Sequence, residues 1–197
     1  MSIAYRLLAV AIMLVPGAAF AHTGHGEAAG FAYGFMHPLG GLDHLLAMVA
    51  IGLFAGGLGG RAMWLVPASF ISVMALGGVL GIANLPVPHV EIAIAASVAI
   101  LGAIIALGVK APVAVAMGLA GLFAVFHGYA HGAEMPADGS GLAYGLGFMS
   151  ATALLHVSGL ALGLLFGALG EARGRAFYRV AGVAIALAGA GLLVQVI

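Results

Sequence analysis

The stretch IAIAASVAILGAIIALGV, residues 92–109, decides the fold of this protein. It lies between Glu91 and Lys110 and contains no charged side chain, and its only hydroxyl belongs to Ser97. A helix needs about 20 such residues to cross the hydrocarbon core of a bilayer at about 1.5 Å per residue. We therefore predict a transmembrane helix at about 89–109.

The whole chain has the composition of an integral membrane protein. Of its 197 residues, 64% are hydrophobic and 6% are charged, and the mean hydropathy is +1.23. Soluble domains carry about 25% charged residues. The formal net charge is zero, so no basic surface is available to bind nucleic acid. The absence of cysteine excludes disulfides, thiolate metal ligands and cysteine-based catalysis.

The polar residues divide the chain into spans of similar character. We expect an all-α bundle of six transmembrane helices, at about 38–58, 62–83, 89–109, 111–131, 141–169 and 175–197. Glycine is abundant, with 33 residues, and small residues allow helices to pack closely in a bilayer. The strongest candidates for such packing are Gly56-Gly57, Gly77-Gly78, and Gly128 with Gly132.

The N-terminus has the pattern of an export signal. Arg6 precedes an apolar core at 7–15, and Ala19-Phe20-Ala21 is typical of a cleavage site. We predict a signal peptide at 1–21 and a six-helix domain at 22–197. An uncleaved signal anchor is the alternative.

The basic residues indicate the orientation of the domain. A cleaved export signal places the new N-terminus outside, and six spans return the C-terminus to the same side. The loops after the first, third and fifth spans would then be cytoplasmic, which agrees with the positive-inside rule. We expect a multi-pass protein of the inner (cytoplasmic) membrane with both mature termini in the periplasm. The basic residues in and beside these loops are Arg61, Lys110, Arg173, Arg175 and Arg179.

Ionisable side chains at or inside the apolar spans are candidate functional residues. Each costs about 2.5–3.5 kcal/mol to insert at the centre of a helix, so its presence needs a reason. Imidazole and carboxylate groups together are typical ligands of a transition metal. The candidates are His37, Asp43, His44, Glu91, His127, His131 and Glu134.

The first motif is HPLGGLDH, residues 37–44. Pro38 suits the first position of a helix, which would place His37 at the outer mouth of the first span. His44 would lie on the same face, about 10 Å deeper. Unless the helix breaks, the two histidines would act as successive stations for a metal ion. Asp43 would supply an anionic oxygen, or alternatively form a structural hydrogen-bond pair with His44.

The second motif is FHGYAHGAE, residues 126–134. His127 and His131 are spaced i and i+4, so both imidazoles lie on one helical face and can bind one metal ion. Glu134 continues that face if the helix persists to Pro136. A lone histidine here would more often be a core residue, but two histidines and a carboxylate in register favour a metal site.

Four further residues have less specific patterns. Glu91 either completes the ligand set or caps the third span beside His89. His156 lies near the bilayer midplane, where a ligand, a proton acceptor and a structural donor are all open roles. His22 and His25 would either capture metal at the mature N-terminus or belong to a short solvated tail.

The two motifs resemble the signature sequences of the HupE/UreJ family of nickel permeases. His37-Pro38, Asp43-His44 and the 126–134 run carry the resemblance, which extends over essentially the whole chain. It implies that Ni²⁺ is the transported ion, supplied to hydrogenase or urease, with no permanently bound cofactor. It also implies that the seven candidates above are needed for transport.

The alternatives concern the metal and the class of protein. Imidazole and carboxylate also suit cobalt, copper(II) and zinc, so permeases for cobalt or copper stay open. The sequence contains no phosphate-binding GxxxxGK[ST] loop, and we expect transport without ATP hydrolysis and no enzymatic activity. An intramembrane zinc hydrolase would need a serine such as Ser97, Ser150 or Ser158. The expected partners are the metal ion and membrane lipid, and a homo-oligomer is possible.

Overall fold

A computed structural model describes residues 27–135 and 140–197. The predicted signal peptide at 1–21, and His22 and His25, lie outside the described residues. Within them the predicted all-α membrane bundle is confirmed. Its helices are α1 (Glu27–Gly40), α2 (Leu42–Leu58), α3 (Ala62–Ile82), α4 (Val90–Leu107), α5 (Val113–Ala133), α6 (Gly141–Ala168) and α7 (Glu171–Val196).

Five of these helices, α3 to α7, are long and apolar enough to cross a membrane. The α1 and α2 helices form a pair bent by 83°, which passes the same test as one unit. Counting the bent pair as one span gives six, the number expected from the sequence.

The prediction that the first span is a single helix beginning at Pro38 was wrong. Pro38 lies inside α1, near its C-terminal end, and α2 begins only after Gly41. The backbone of Gly41 is extended, with φ −102° and ψ 123°, and this interrupts the helix. His37 and His44 therefore lie on two different helices rather than on one face of a continuous helix.

Two other predicted boundaries shift. The α5 helix continues to Ala133, but Glu134 is its C-cap, so the helix does not persist to Pro136 as the second motif required. The α7 helix begins at Glu171 rather than at 175, and its first turns therefore carry Arg173 and Arg175.

The most extensive helix contacts join α3 to α5, α4 to α7, and α6 to both α2 and α1. Glycine is found at each of these contacts. A Cβ atom on Gly52 of α2 would collide with the backbone of His156, and one on Gly34 of α1 would collide with that of Tyr144. The backbones of the paired helices therefore touch, as small residues allow in a bilayer.

The contact between α3 and α5 is the one that bears on the histidines. A Cβ on Gly128 would collide with the carbonyl of Met74, and one on Gly132 would collide with that of Gly78. The predicted packing role of this pair and of Gly77-Gly78 is confirmed. Gly128 and Gly132 directly follow His127 and His131 in the sequence. The docking of these two glycines on α3 therefore fixes the direction in which the two histidine side chains point.

Gly182 and Gly191 provide a matched test of these backbone contacts, because both lie in α7. A Cβ on Gly182 would collide with the backbone of Ala106, whereas Gly191 has open space. Gly182→Ala should destabilise the protein by about 1–3 kcal/mol through overpacking. Gly191→Ala should leave its stability unchanged or slightly raised. Thermal unfolding in detergent measures both, and equal midpoints would contradict the close approach.

Candidate metal site

Four histidines from three helices converge at one end of the bundle, where α1 ends, α2 begins and α5 ends. The ring centroids of His37 and His131 are 4.9 Å apart, those of His131 and His44 are 4.2 Å apart, and those of His44 and His127 are 4.7 Å apart. His131 therefore contacts both histidines of the first motif. The break at Gly41 makes this possible, because it brings two rings from one predicted span to the same histidine.

One part of the cluster consists of His37, His131 and Glu134, and it includes the most exposed side chain, that of Glu134. One potential ligand atom from each lies within 4.8 Å of the other two. The Glu134 Oε2 atom is 3.1 Å from Nε2 of His37 and 3.8 Å from Nδ1 of His131. The side chain of Glu134 is 60% exposed and that of His131 only 8%, so the group connects the surface with the interior. These three residues form the outer group.

His44 is held by its neighbour Asp43. The Oδ1 atom of Asp43 lies 2.8 Å from Nδ1 of His44 and 2.7 Å from its backbone nitrogen. A carboxylate accepts both bonds, so Nδ1 carries the proton and Nε2 keeps its lone pair. The Nε2 atom is buried without a hydrogen-bond partner. Asp43 therefore orients the imidazole and leaves a nitrogen ready to bind a metal ion.

His127 is fully buried and is held by Ser97 of α4. The Ser97 hydroxyl donates its single proton to the carbonyl of Ile94, at 2.7 Å, and lies 3.0 Å from Nε2 of His127. Its oxygen must then accept the proton of Nε2, which leaves the lone pair on Nδ1. That Nδ1 atom is also buried without a partner. His44 and His127 are thus each fixed in one tautomer, and these two residues form the inner pair.

His156 lies deeper, in the middle of α6. The Phe70 ring packs against both His156 and the inner pair, with its centroid 5.7 Å from that of His127 and 5.2 Å from that of His156. Phe70 is fully buried, and both ring nitrogens of His156 lack hydrogen-bond partners. The hydroxyl of Thr152, one turn earlier on α6, is unpartnered as well. A second polar position therefore shares one aromatic neighbour with the first.

A cavity of about 130 Å³ adjoins His131. Three methionines, Met74, Met135 and Met149, line it together with the Tyr144 and Phe148 rings. Both ring nitrogens of His131 are buried without a hydrogen-bond partner. The cavity provides free space beside the histidine that links the outer group to the inner pair.

Some residues suggested by the sequence are not part of the cluster. Glu91 is exposed at the start of α4 and belongs to no group of three possible ligands within the described ranges. Conversely, the sequence did not reveal that Ser97 holds His127 or that Phe70 contacts both His127 and His156. One feature of the sequence could have drawn attention to Ser97, because it carries the only hydroxyl in the 92–109 run.

The fold and the cluster together define a polytopic membrane protein with an intramembrane imidazole and carboxylate site. A family model described as "HupE / UreJ protein" matches residues 10–192. "Protein HupE" of Rhizobium leguminosarum bv. viciae is 49% identical over 186 residues, which cover 94% of this chain and 95% of that protein. No solved structure matches.

The chain therefore belongs to the HupE/UreJ family. The family consists of membrane transporters linked to nickel uptake for hydrogenase and urease, and not of enzymes. The hydrolase alternative is thereby set aside.

The hydrogen bond from His127 to Ser97 predicts a measurable effect on metal binding. Ser97→Ala removes the acceptor and frees the imidazole from its fixed tautomer, and loss of such a supporting group typically weakens metal affinity by about 10–100-fold. Ser150→Ala is the matched control, because Ser150 bonds only the carbonyl of Leu146 in its own helix. Nickel titration calorimetry on purified protein measures both, and equal affinities would show that Ser97 does not support a ligand.

Proposed function

We propose that this protein imports Ni²⁺ across the cytoplasmic membrane, without ATP hydrolysis, for hydrogenase or urease maturation. The observation that carries the proposal is the set of unpartnered imidazole nitrogens. Nε2 of His44, Nδ1 of His127 and both nitrogens of His131 are buried without hydrogen bonds. Leaving a buried polar atom unpaired costs about 1–3 kcal/mol, and the protein itself supplies no partner for these nitrogens, so they are suited to bind a metal ion.

The ligand chemistry supports a divalent transition metal as the substrate. Neutral imidazoles with one carboxylate suit Ni²⁺, whereas Mg²⁺ or Ca²⁺ would require a site rich in oxygen. Glu134 supplies the negative charge of the outer group, and its exposure lets a hydrated ion meet it first. Binding must also be weak enough for release. Spreading the ligands over an outer group and an inner pair meets this need, because no single position surrounds the ion.

The exposure of Glu134 and the contacts between the histidine rings suggest the path that we propose. The ion would first bind the outer group, and His131 would pass it to His44 and His127 of the inner pair. His156 would be the next station, beyond the Phe70 ring. In this proposal the Phe70 ring would rotate or move aside to let the ion reach His156. Inward movement of a cation is favoured by about 2.3 kcal/mol per charge for each 100 mV of membrane potential.

Uptake and binding measured together test the path. We expect His131→Ala to abolish nickel uptake, and Asp43→Asn to reduce it at least about tenfold, with equilibrium nickel binding weakened in both. His156→Gln should reduce uptake yet retain binding, because the outer group and inner pair are intact. Radioactive nickel uptake in cells that lack their own importer, and nickel titration of the purified variants, provide the two measurements.

His89→Asn is the control for these substitutions. His89 is exposed, outside the cluster, and has a left-handed backbone that asparagine tolerates. It should transport nickel normally at equal protein abundance. Normal uptake by Asp43→Asn or His131→Ala would show that the substituted residue has only a structural role. Preference for cobalt or copper in a competition experiment would contradict nickel as the substrate.

We propose further that the cluster faces the periplasm. Its support is the positive-inside rule, because the basic residues of the described chain lie in or beside the loops at the opposite end of the bundle. The α2–α3 turn carries Arg61, the α4–α5 loop carries Lys110, and the start of α7 carries the three other arginines.

Single cysteines can test this orientation directly, because the natural chain has none. Leu85→Cys, in the exposed α3–α4 loop, should react with a membrane-impermeant maleimide from the periplasmic side. Arg173→Cys should react only after the membrane is permeabilised. Labelling of both from one side would exclude the six-span arrangement, and exchange of the two results would reverse the orientation.

A further inference from the structure

A second cavity lies at the other end of the bundle, remote from the histidines. Its volume is about 420 Å³, and it is enclosed by α2, α4, α7 and the end of α6. The deep wall is apolar, with Leu53 and Phe54 of α2 opposite Ile104 and Ile105 of α4. Nothing in the proposed transport of nickel uses this space.

The rim of the cavity is cationic. Lys110, Arg175 and Arg179 line it, and Glu171 is the one carboxylate among the lining residues. Glu171 lies 3.4 Å from Arg175, but both side chains are exposed, and such a pair contributes little. The Lys110 ammonium donates to the carbonyl of Gly57, which leaves two of its three protons for another acceptor.

The combination of a cationic rim and an apolar wall has a specific chemistry. A divalent cation would be repelled by the three basic side chains, so this is not a second metal site. A soluble anion would match the rim but would leave the apolar wall wetted. A molecule with an anionic head and a hydrocarbon chain satisfies both surfaces, and the cavity opens among helix ends, where lipid headgroups lie.

We propose that this cavity binds the phosphate headgroup of an anionic phospholipid. The phosphate would contact Lys110, Arg175 and Arg179, and one acyl chain would cover the wall formed by α2 and α4. The Tyr178 side chain also lines the cavity, and its hydroxyl lies close to Gly56 and Gly163.

Native mass spectrometry of the purified protein can test this site. The unmodified protein should retain phosphatidylglycerol at least about tenfold more than phosphatidylcholine of the same chain length, because each basic side chain near a headgroup adds to the attraction. The triple variant K110Q/R175Q/R179Q should lose this preference. Equal retention of the two lipids by the unmodified protein would overturn the proposal.

Two further variants keep the test independent of folding and of overall charge. Arg61 and Arg173 lie at the same end but outside the cavity, so R61Q/R173Q should keep the lipid preference. The charge-conserving variant K110R/R175K/R179K should keep it too. Loss of the preference in R61Q/R173Q would show a diffuse surface attraction rather than a site, and loss in the charge-conserving variant would overturn the role of rim charge.

Inorganic phosphate distinguishes a lipid from a free anion as the ligand. At constant ionic strength, about 10 mM phosphate should not displace retained phosphatidylglycerol, since phosphate cannot cover the apolar wall. Displacement by phosphate, or binding of phosphate without lipid, would overturn the lipid assignment. Retention in its presence supports it.

Discussion

Contact between helix backbones at glycine is the constraint on which the rest of the structure depends. Apolar side chains gain little by leaving lipid for the protein interior, so close packing must hold the helices together. Gly128 and Gly132 dock α5 on α3, and Gly52 and Gly159 bring α2 against α6. These contacts set the rotation of the helices that carry the histidines, so the candidate metal site depends on residues that supply none of its possible ligands.

Hydropathy predicted the helices that behave as independent spans. The positions of α3 to α7 follow from long apolar runs bounded by charges or loops, because insertion into lipid is decided locally. It failed at the first span. The sequence does not predict a helix at 27–40, and it predicts a helix start at Pro38, which lies inside α1. Docking of Gly34 and Gly147 between α1 and α6 stabilises this segment, and such long-range contacts cannot be inferred from local sequence.

The residue types of the candidate site could be predicted from the sequence, but the role of each residue could not. Histidines and carboxylates in apolar helices are conspicuous because they are costly there. Whether an oxygen holds a metal ion or holds a histidine depends on what lies beside it in three dimensions. Asp43 bonds His44, and Ser97 approaches His127 from another helix. Only the folded structure shows which imidazole nitrogen stays free.

The bend at Gly41 also shapes the electric field of the site. It makes α1 end at the cluster, with His37 in its last turn, while α5 ends there with His131 in its last turn. The C-terminus of a helix carries a partial charge of roughly −0.5 from its unpaired carbonyl groups. The N-terminus of α2 lies at the same place and carries a partial charge of roughly +0.5, which offsets the end of α1 and favours the ionised carboxylate of Asp43 in its first turn. An unbroken first span would have left Asp43 in the middle of a helix, without a helix N-terminus to stabilise its negative charge.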